Sequence, residues 1–277
     1  MTGFININKE TGVSSAFVVN KVKRLSGMPA GHMGTLDPLA SGVLPVALGN
    51  ACRLFDYFSD KKKTYLARFR FGVTTETLDS EGEKIVKGGV PSEKEIQNAL
   101  VLLTGKIMQV PPVYSAKSVN GVRSYQLARA GKEVELKAKQ VEIFDFRLSE
   151  QTAEDEFAFE IVCSSGTYIR ALARDLAEQL NTYAYLSALS RTASGICKIE
   201  DAVSLTELTK ENIANYLIPT ENVLPYPALN LESERVFNGL KERVESGDGL
   251  YKLYRKGEFY GIASVEGGLA KAEKKLC

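Results

Sequence analysis

Gly31-His-Met-Gly-Thr-Leu-Asp-Pro-Leu-Ala-Ser-Gly42 is the stretch on which the reading of this chain turns. It belongs to a loop, residues 27–42, with little that a strand or a long helix favours. A loop of this length without regular structure often carries function. Asp37 stands between a leucine and a proline, and the surrounding glycines permit tight backbone geometry. A carboxylate held in such a loop can serve as nucleophile or base. Asp-Pro is also a common turn former, through an Asx-type turn. Taken alone, an Asp-Pro step favours the turn over the chemical role.

On its N-terminal side, residues 5–8 alternate apolar and polar and predict a strand. Ser14 or Ser15 then caps a helix running to about Leu25, with Val18, Val22 and Leu25 on one side. Gly27 and Pro29 end it. On the C-terminal side, strict alternation begins at Thr64. Tyr65, Ala67, Phe69 and Phe71 face one way, and Thr64, Leu66, Arg68 and Arg70 the other. Residues 92–104 read as a helix, with Ser92 and Glu95 at capping-box spacing. A further helix is expected over 119–130, ended by Gly131. Residues 157–163 predict a strand, and Tyr168–Leu180 a helix with Leu172, Leu176 and Leu180 in one stripe. Leu224-Pro-Tyr-Pro-Ala is the linker candidate. Beyond it come short strands: Gly249–Tyr254, Phe259–Glu266 and Leu269–Leu276. That β module is too small to stand comfortably alone, so it is expected to pack on the rest.

Composition removes several classes of function. At 277 residues and 44% hydrophobic, the chain can bury a full core. No run approaches the ~18 apolar residues of a membrane helix, and the N-terminus lacks a signal-peptide pattern. Both point to the cytoplasm. Cys52, Cys163, Cys197 and Cys277 form no CxxC motif, and His32 is the only histidine. There is no Walker motif and no GxGxxG. No sequence motif here calls for a metal or a small-molecule cofactor. Net charge is only +1, but residues 1–70 hold ten Lys/Arg against four Asp/Glu. A basic N-terminal third suits phosphate, and it equally suits an ordinary solvated face.

The quoted loop resembles the central motif of the TruB family of tRNA pseudouridine synthases, and the resemblance runs along the chain. Ile7-Asn-Lys-Glu-Thr-Gly-Val-Ser-Ser15 is similar to that family's opening motif, and Lys63-Thr-Tyr65 falls at its second. Val110-Pro-Pro-Val-Tyr-Ser-Ala116 resembles its proline-tyrosine motif. Ser165-Gly-Thr-Tyr-Ile-Arg170 resembles its arginine motif, followed by Leu189-Ser-Arg-Thr192. Two departures stand out. Glu10 replaces the usual proline, and Lys117 precedes Ser118 where an apolar residue and then a lysine are usual.

The resemblance implies an α+β fold, with a mixed, largely antiparallel sheet and flanking helices over 1–224. It also implies a small β-barrel-like PUA module, an RNA-binding fold, over 225–277. The implied activity is isomerisation of uridine 55 in the T-loop of tRNA: the N1–C1′ bond breaks and the base rejoins through C5. Asp37 aligns with the catalytic aspartate, Arg170 with its partner, and Tyr65 with the tyrosine that stacks on the base. Tyr168 and Leu189 match the walls of the uracil pocket, and His32 the contact left by the flipped base. Lys9, Lys61, Lys62, Lys63, Lys117 and Arg123 are then candidates to meet RNA phosphate. The expected partner is tRNA at its elbow, bound by a monomer without membrane or cofactor. One rival reading keeps the scaffold as a tRNA-binding or tRNA-folding protein. The other is hydrolysis of an N-glycosidic bond, which often uses two acids; the motifs supply Asp37 and no second one.

Overall fold

The computed structural model describes residues 1–57, 62–115, 117–119, 121–132 and 134–276. The first half contains β1 (Gly3–Lys9), α1 (Ser15–Ser26), β2 (Ala30–His32), β3 (Ala40–Leu48), β4 (Lys63–Phe71), β5 (Val73–Thr75), β6 (Lys84–Lys87) and α2 (Glu93–Leu100). There follow β7 (Gly105–Gln109), β8 (Ser118–Val119), β9 (Val122–Arg123), α3 (Ser124–Arg129), β10 (Lys139–Ala153), β11 (Glu156–Cys163), α4 (Ile169–Gln179), β12 (Ala184–Ser194), β13 (Cys197–Lys198) and β14 (Val203–Ser204). The C-terminal part adds β15 (Ala228–Leu231), α5 (Glu234–Phe237), β16 (Glu242–Arg243), β17 (Gly249–Arg255), β18 (Glu258–Glu266) and β19 (Leu269–Lys275).

One large sheet runs in the order β14-β1-β3-β12-β4-β11-β10-β7, with β2 on β3 and β13 on β12. Its pairings are antiparallel except β1 with β14 and β12 with β3. The alternation of β4 does what its pattern dictates. Tyr65, Ala67, Phe69 and Phe71 are buried beneath the helices, while Leu66 and Arg68 are exposed on the other face. Phe69, Phe146 and Phe159 pack ring against ring in that core. Both caps form as the sequence predicts. Ser14 accepts from the Phe17 amide at the start of α1, and Gly27 closes it in the left-handed conformation. Ser92 and Glu95 make the capping box of α2.

Two expectations are corrected. The loop 27–42 is not free of strands: Ala30–His32 pairs with β3, which itself begins at Ala40. The expected helix over 119–130 is a short hairpin followed by a six-residue helix, because Gly121 turns the chain at φ +85°.

The sheet divides beside β3. On one edge, residues 40–42 pair with β12 and residues 46–48 with β2, leaving 43–45 without a strand neighbour. Pro45, which has no N–H to offer, falls within this gap. Its carbonyl still accepts the Met33 amide.

The C-terminal strands form a separate five-stranded sheet, β15-β17-β18-β19-β16, which fits a PUA-like module. Its own core is small, and it leans on the helical segment 49–57 that follows β3 through a second cluster, Leu54, Leu224, Ile262 and Leu276. Asn50 donates to the Leu276 carbonyl and Tyr226 to that of Tyr57 across the same contact. Among the described residues no helix is long and apolar enough to cross a membrane.

Candidate active site

Asp37 lies at a cavity of about 270 Å³ whose wall includes Tyr65, Tyr168, Arg170, Leu189 and Arg191. The loop that carries it is tied down on both sides of the aspartate. The Ser15 hydroxyl, at the start of α1, donates to the Leu36 carbonyl (2.7 Å) and accepts the Leu36 amide (2.9 Å). The Gly12 amide donates to the Pro38 carbonyl. The Asp37 carbonyl accepts from Ala40, closing a tight turn. Asp37 thus stands in a tight turn and at the edge of a cavity, so the turn its sequence allows does not keep it from the site.

Arg170 enters from the first turn of α4. It is almost wholly buried and uses both ends of its fork. One nitrogen binds Asp37 Oδ2 (2.9 Å) and the Tyr114 carbonyl (3.0 Å). The other binds Asp79 Oδ2 (3.2 Å) and the Thr77 carbonyl (3.0 Å). Such a planar, charge-assisted fork fixes direction as well as distance. Gln109, buried at the end of β7, grips the Tyr168 backbone through both amide atoms (2.8 and 3.2 Å). That contact sets where α4 begins, and hence where Arg170 stands.

Asp79 is a second acid that the motifs do not reveal, and it corrects the expectation of a single carboxylate. It is buried, with its other oxygen taken by Thr77 and the Glu81 amide. Turned away from solvent and held by three donors, it orients Arg170. It is not placed to activate a water as a hydrolase would require.

Tyr65 and Leu189 face the cavity from β4 and β12, and both are mostly buried. Burial pushes the Tyr65 phenol above its usual range, with Arg191 opposing. Lys63 also lines the cavity, and its ammonium donates to Ser194 Oγ (2.5 Å). His32 does not line it. It lies half-buried on β2, and burial holds its pKa below the usual value.

Lys9 is corrected as a phosphate contact. It is fully buried, and its ammonium donates to the carbonyls of Glu10, Val13 and Pro38. It staples the loop next to Asp37 from below. Of the other candidate lysines, Lys62 sits over the Phe144 ring and Lys117 reaches the Lys137 carbonyl. Lys61 lies outside the described residues.

Burial lowers the Lys9 pKa from 10.5 to about 8. Between those values the unfolded chain binds more protons than the folded one, so this group adds stability as pH rises. Lys9→Met is expected to lose roughly 1–3 kcal/mol by stranding buried carbonyls. In urea unfolding, the advantage of wild type over the variant should widen from pH 8 to pH 10. A pH-independent difference would show that the ammonium is not buried. Gly42 makes a sharper case. At φ +99°, a Cβ there would strike the Arg191 carbonyl across the sheet. Gly42→Ala should lose at least about 3 kcal/mol, and an unchanged melting temperature would contradict this packing.

Residues 23–169 match the family model described as TruB family pseudouridylate synthase (N terminal domain). Over 275 residues the chain is 41% identical to "tRNA pseudouridine synthase B" of Clostridium kluyveri, covering 95% of each. It is 36% identical over 289 residues to the protein of that name from Aquifex aeolicus, with both covered in full. Among solved structures, the chain is similar in fold to one titled "Crystal Structure of a Cbf5-Nop10-Gar1 Complex", at TM-score 0.73 and 24% identity. That match covers 99% of this chain and 85% of the other. The model match spans both Asp37 and Tyr65, and the likeness to full-length relatives carries it through Arg170 and Leu189. The chain belongs to the TruB family of pseudouridylate synthases.

Proposed function

We propose that this enzyme converts uridine 55 in the T-loop of tRNA to pseudouridine, taking the base out of its stack into the cavity beside Asp37. The observation that carries the reading is the Asp37–Arg170 pair at a recess walled by Tyr65, Tyr168 and Leu189. The name shared by its relatives supports tRNA as substrate.

Each residue has a chemical task in this reading. Asp37 is the reactive carboxylate, and Arg170 aims it. Tyr65 offers a flat face to the uracil, and Tyr168 and Leu189 close the sides. A detached base must be held where water is scarce, and apolar walls do that. Lys63, at the cavity rim, is positioned for the phosphate beside the target nucleotide, and His32 for the gap the base leaves. The division at 224/225 separates a catalytic part from an RNA-binding PUA-like part. The protein acts as a cytoplasmic monomer.

The test uses tRNA transcripts tritiated at C5 of uridine. Forming the C1′–C5 bond expels that hydrogen into water. About one equivalent per tRNA is expected, as one uridine is isomerised, and none when position 55 is cytidine. Release from the cytidine transcript would place the target elsewhere. No release from either would sink the reading.

A further inference from the structure

Arg191 is among the largest side chains to be fully buried. Its side chain is 1% exposed, on the inward face of β12, opposite Tyr65. Nε donates to the Val43 carbonyl (2.7 Å), in the gap where the sheet divides. The terminal nitrogens donate to the carbonyls of Gly34 (3.0 Å) and Thr35 (3.4 Å), in the loop leading to Asp37. The Tyr65 phenol lies within electrostatic reach of the same guanidinium.

All these acceptors are neutral. The two carboxylates of the site, Asp37 and Asp79, are both engaged by Arg170, and no ion pair of Arg191 occurs among the described residues. Burying a charge without a counter-charge is costly, and a well-packed neutral side chain would be the cheaper staple. Arg191 nevertheless belongs to the wall of the cavity that holds Asp37.

We propose that Arg191 supplies the positive charge that stabilises the uracil as it leaves C1′. The proposal rests on the isomerisation reading given above. When the N1–C1′ bond breaks, its electron pair stays on the base, and the anion spreads over N1, O2 and O4. The deficit at C1′ is met by an Asp37 oxygen or by loss of the C2′ proton. After the base turns, C5 bonds to C1′, whichever change was made at the sugar is reversed, the C5 proton leaves and N1 gains one. Atoms and charge balance without an oxidant or reductant. The anion exists only between the two bond changes. Arg170, shared by two carboxylates, has little charge to spare for it. Arg191 has all of its own, fixed in place before the reaction begins.

The test compares tRNA carrying uridine with tRNA carrying 5-fluorouridine at the target position. Fluorine withdraws electrons and makes the departing base a better anion. Consumption of the target nucleoside is followed in single turnover at saturating enzyme. Arg191→Gln removes the charge and keeps a donor. It should slow the uridine substrate about 100-fold, leave tRNA affinity unchanged, and lose roughly tenfold less on the fluorinated base. Arg191→Lys keeps the charge without the fork, and should show one modest loss, equal on both bases. Equal large losses for Arg191→Gln on both substrates would overturn the proposal, as would no loss at all. Should Arg191→Gln not fold, Arg191→Lys decides. A loss beyond about 1000-fold with intact tRNA binding would mean that geometry matters and charge does not. Turnover by wild type in the same assay keeps this separate from the isomerisation reading, which fails only if wild type consumes no uridine.

Discussion

Asp37→Asn protein is expected to fold, to bind tRNA as wild type does, and to release no tritium from C5-labelled tRNA. The side chain is isosteric, and Arg170 keeps its bonds to Asp79, Thr77 and Tyr114. Asp37 itself is more than one-third exposed, so the lost ion pair should lower stability by about 1 kcal/mol or less. The amide can neither attack carbon nor take a proton at a useful rate. A fall of at least about 10⁴-fold in the single-turnover constant is expected. A variant within tenfold of wild type would remove Asp37 from the chemistry and leave it a turn residue.

Arg170→Met is expected to damage both fold and reaction, and the two effects can be separated. The substitution leaves Asp79 as a buried carboxylate without its cation, which costs roughly 3–5 kcal/mol. It also frees Asp37 to rotate. Adding Asp79→Asn removes the stranded charge, so the double variant should recover about 2 kcal/mol or more in urea unfolding. It should not recover turnover, because Asp37 is still unaimed. Strictly additive stabilities would show that the two residues do not depend on one another. Recovered turnover would show that Arg170 acts only on stability.

How much of this was legible depends on which force shaped each element. β4 could be read because one face is buried and the other wet, which writes period two into the sequence. α1 and α2 could be read because their caps are local chemistry. β3 could not. Ala40–Leu48 is an almost unbroken apolar run buried on both faces, so it has no period, and Pro45 argues against a central strand. Only the division of the sheet explains how a proline fits there. The site follows the same rule. Asp37, Tyr65, Tyr168, Arg170 and Leu189 were found through motifs, and the structure brings them to one cavity. Asp79 had no signal, being an acid in an ordinary polar turn until the fold carries it to Arg170. Arg191 did have one: alternation with Leu189 puts a charge on a buried face, the kind of local conflict that marks function. A lysine in a basic segment looks solvated in sequence, and only tertiary contacts show the Lys9 ammonium capped by three carbonyls.

The anchors of the Asp37 loop come from Lys9, Ser15, Arg170 and Arg191, which span most of the large sheet's sequence. A chain emerging from the ribosome therefore has Asp37 early and the geometry around it late. Until β12 has paired between β3 and β4, the Gly34 and Thr35 carbonyls lack the Arg191 donors that hold them. Pairings of such long sequence separation form slowly and together. Catalytic competence should accordingly appear in a single late step of refolding, in phase with the last protected amides of β12 and behind any early helix signal.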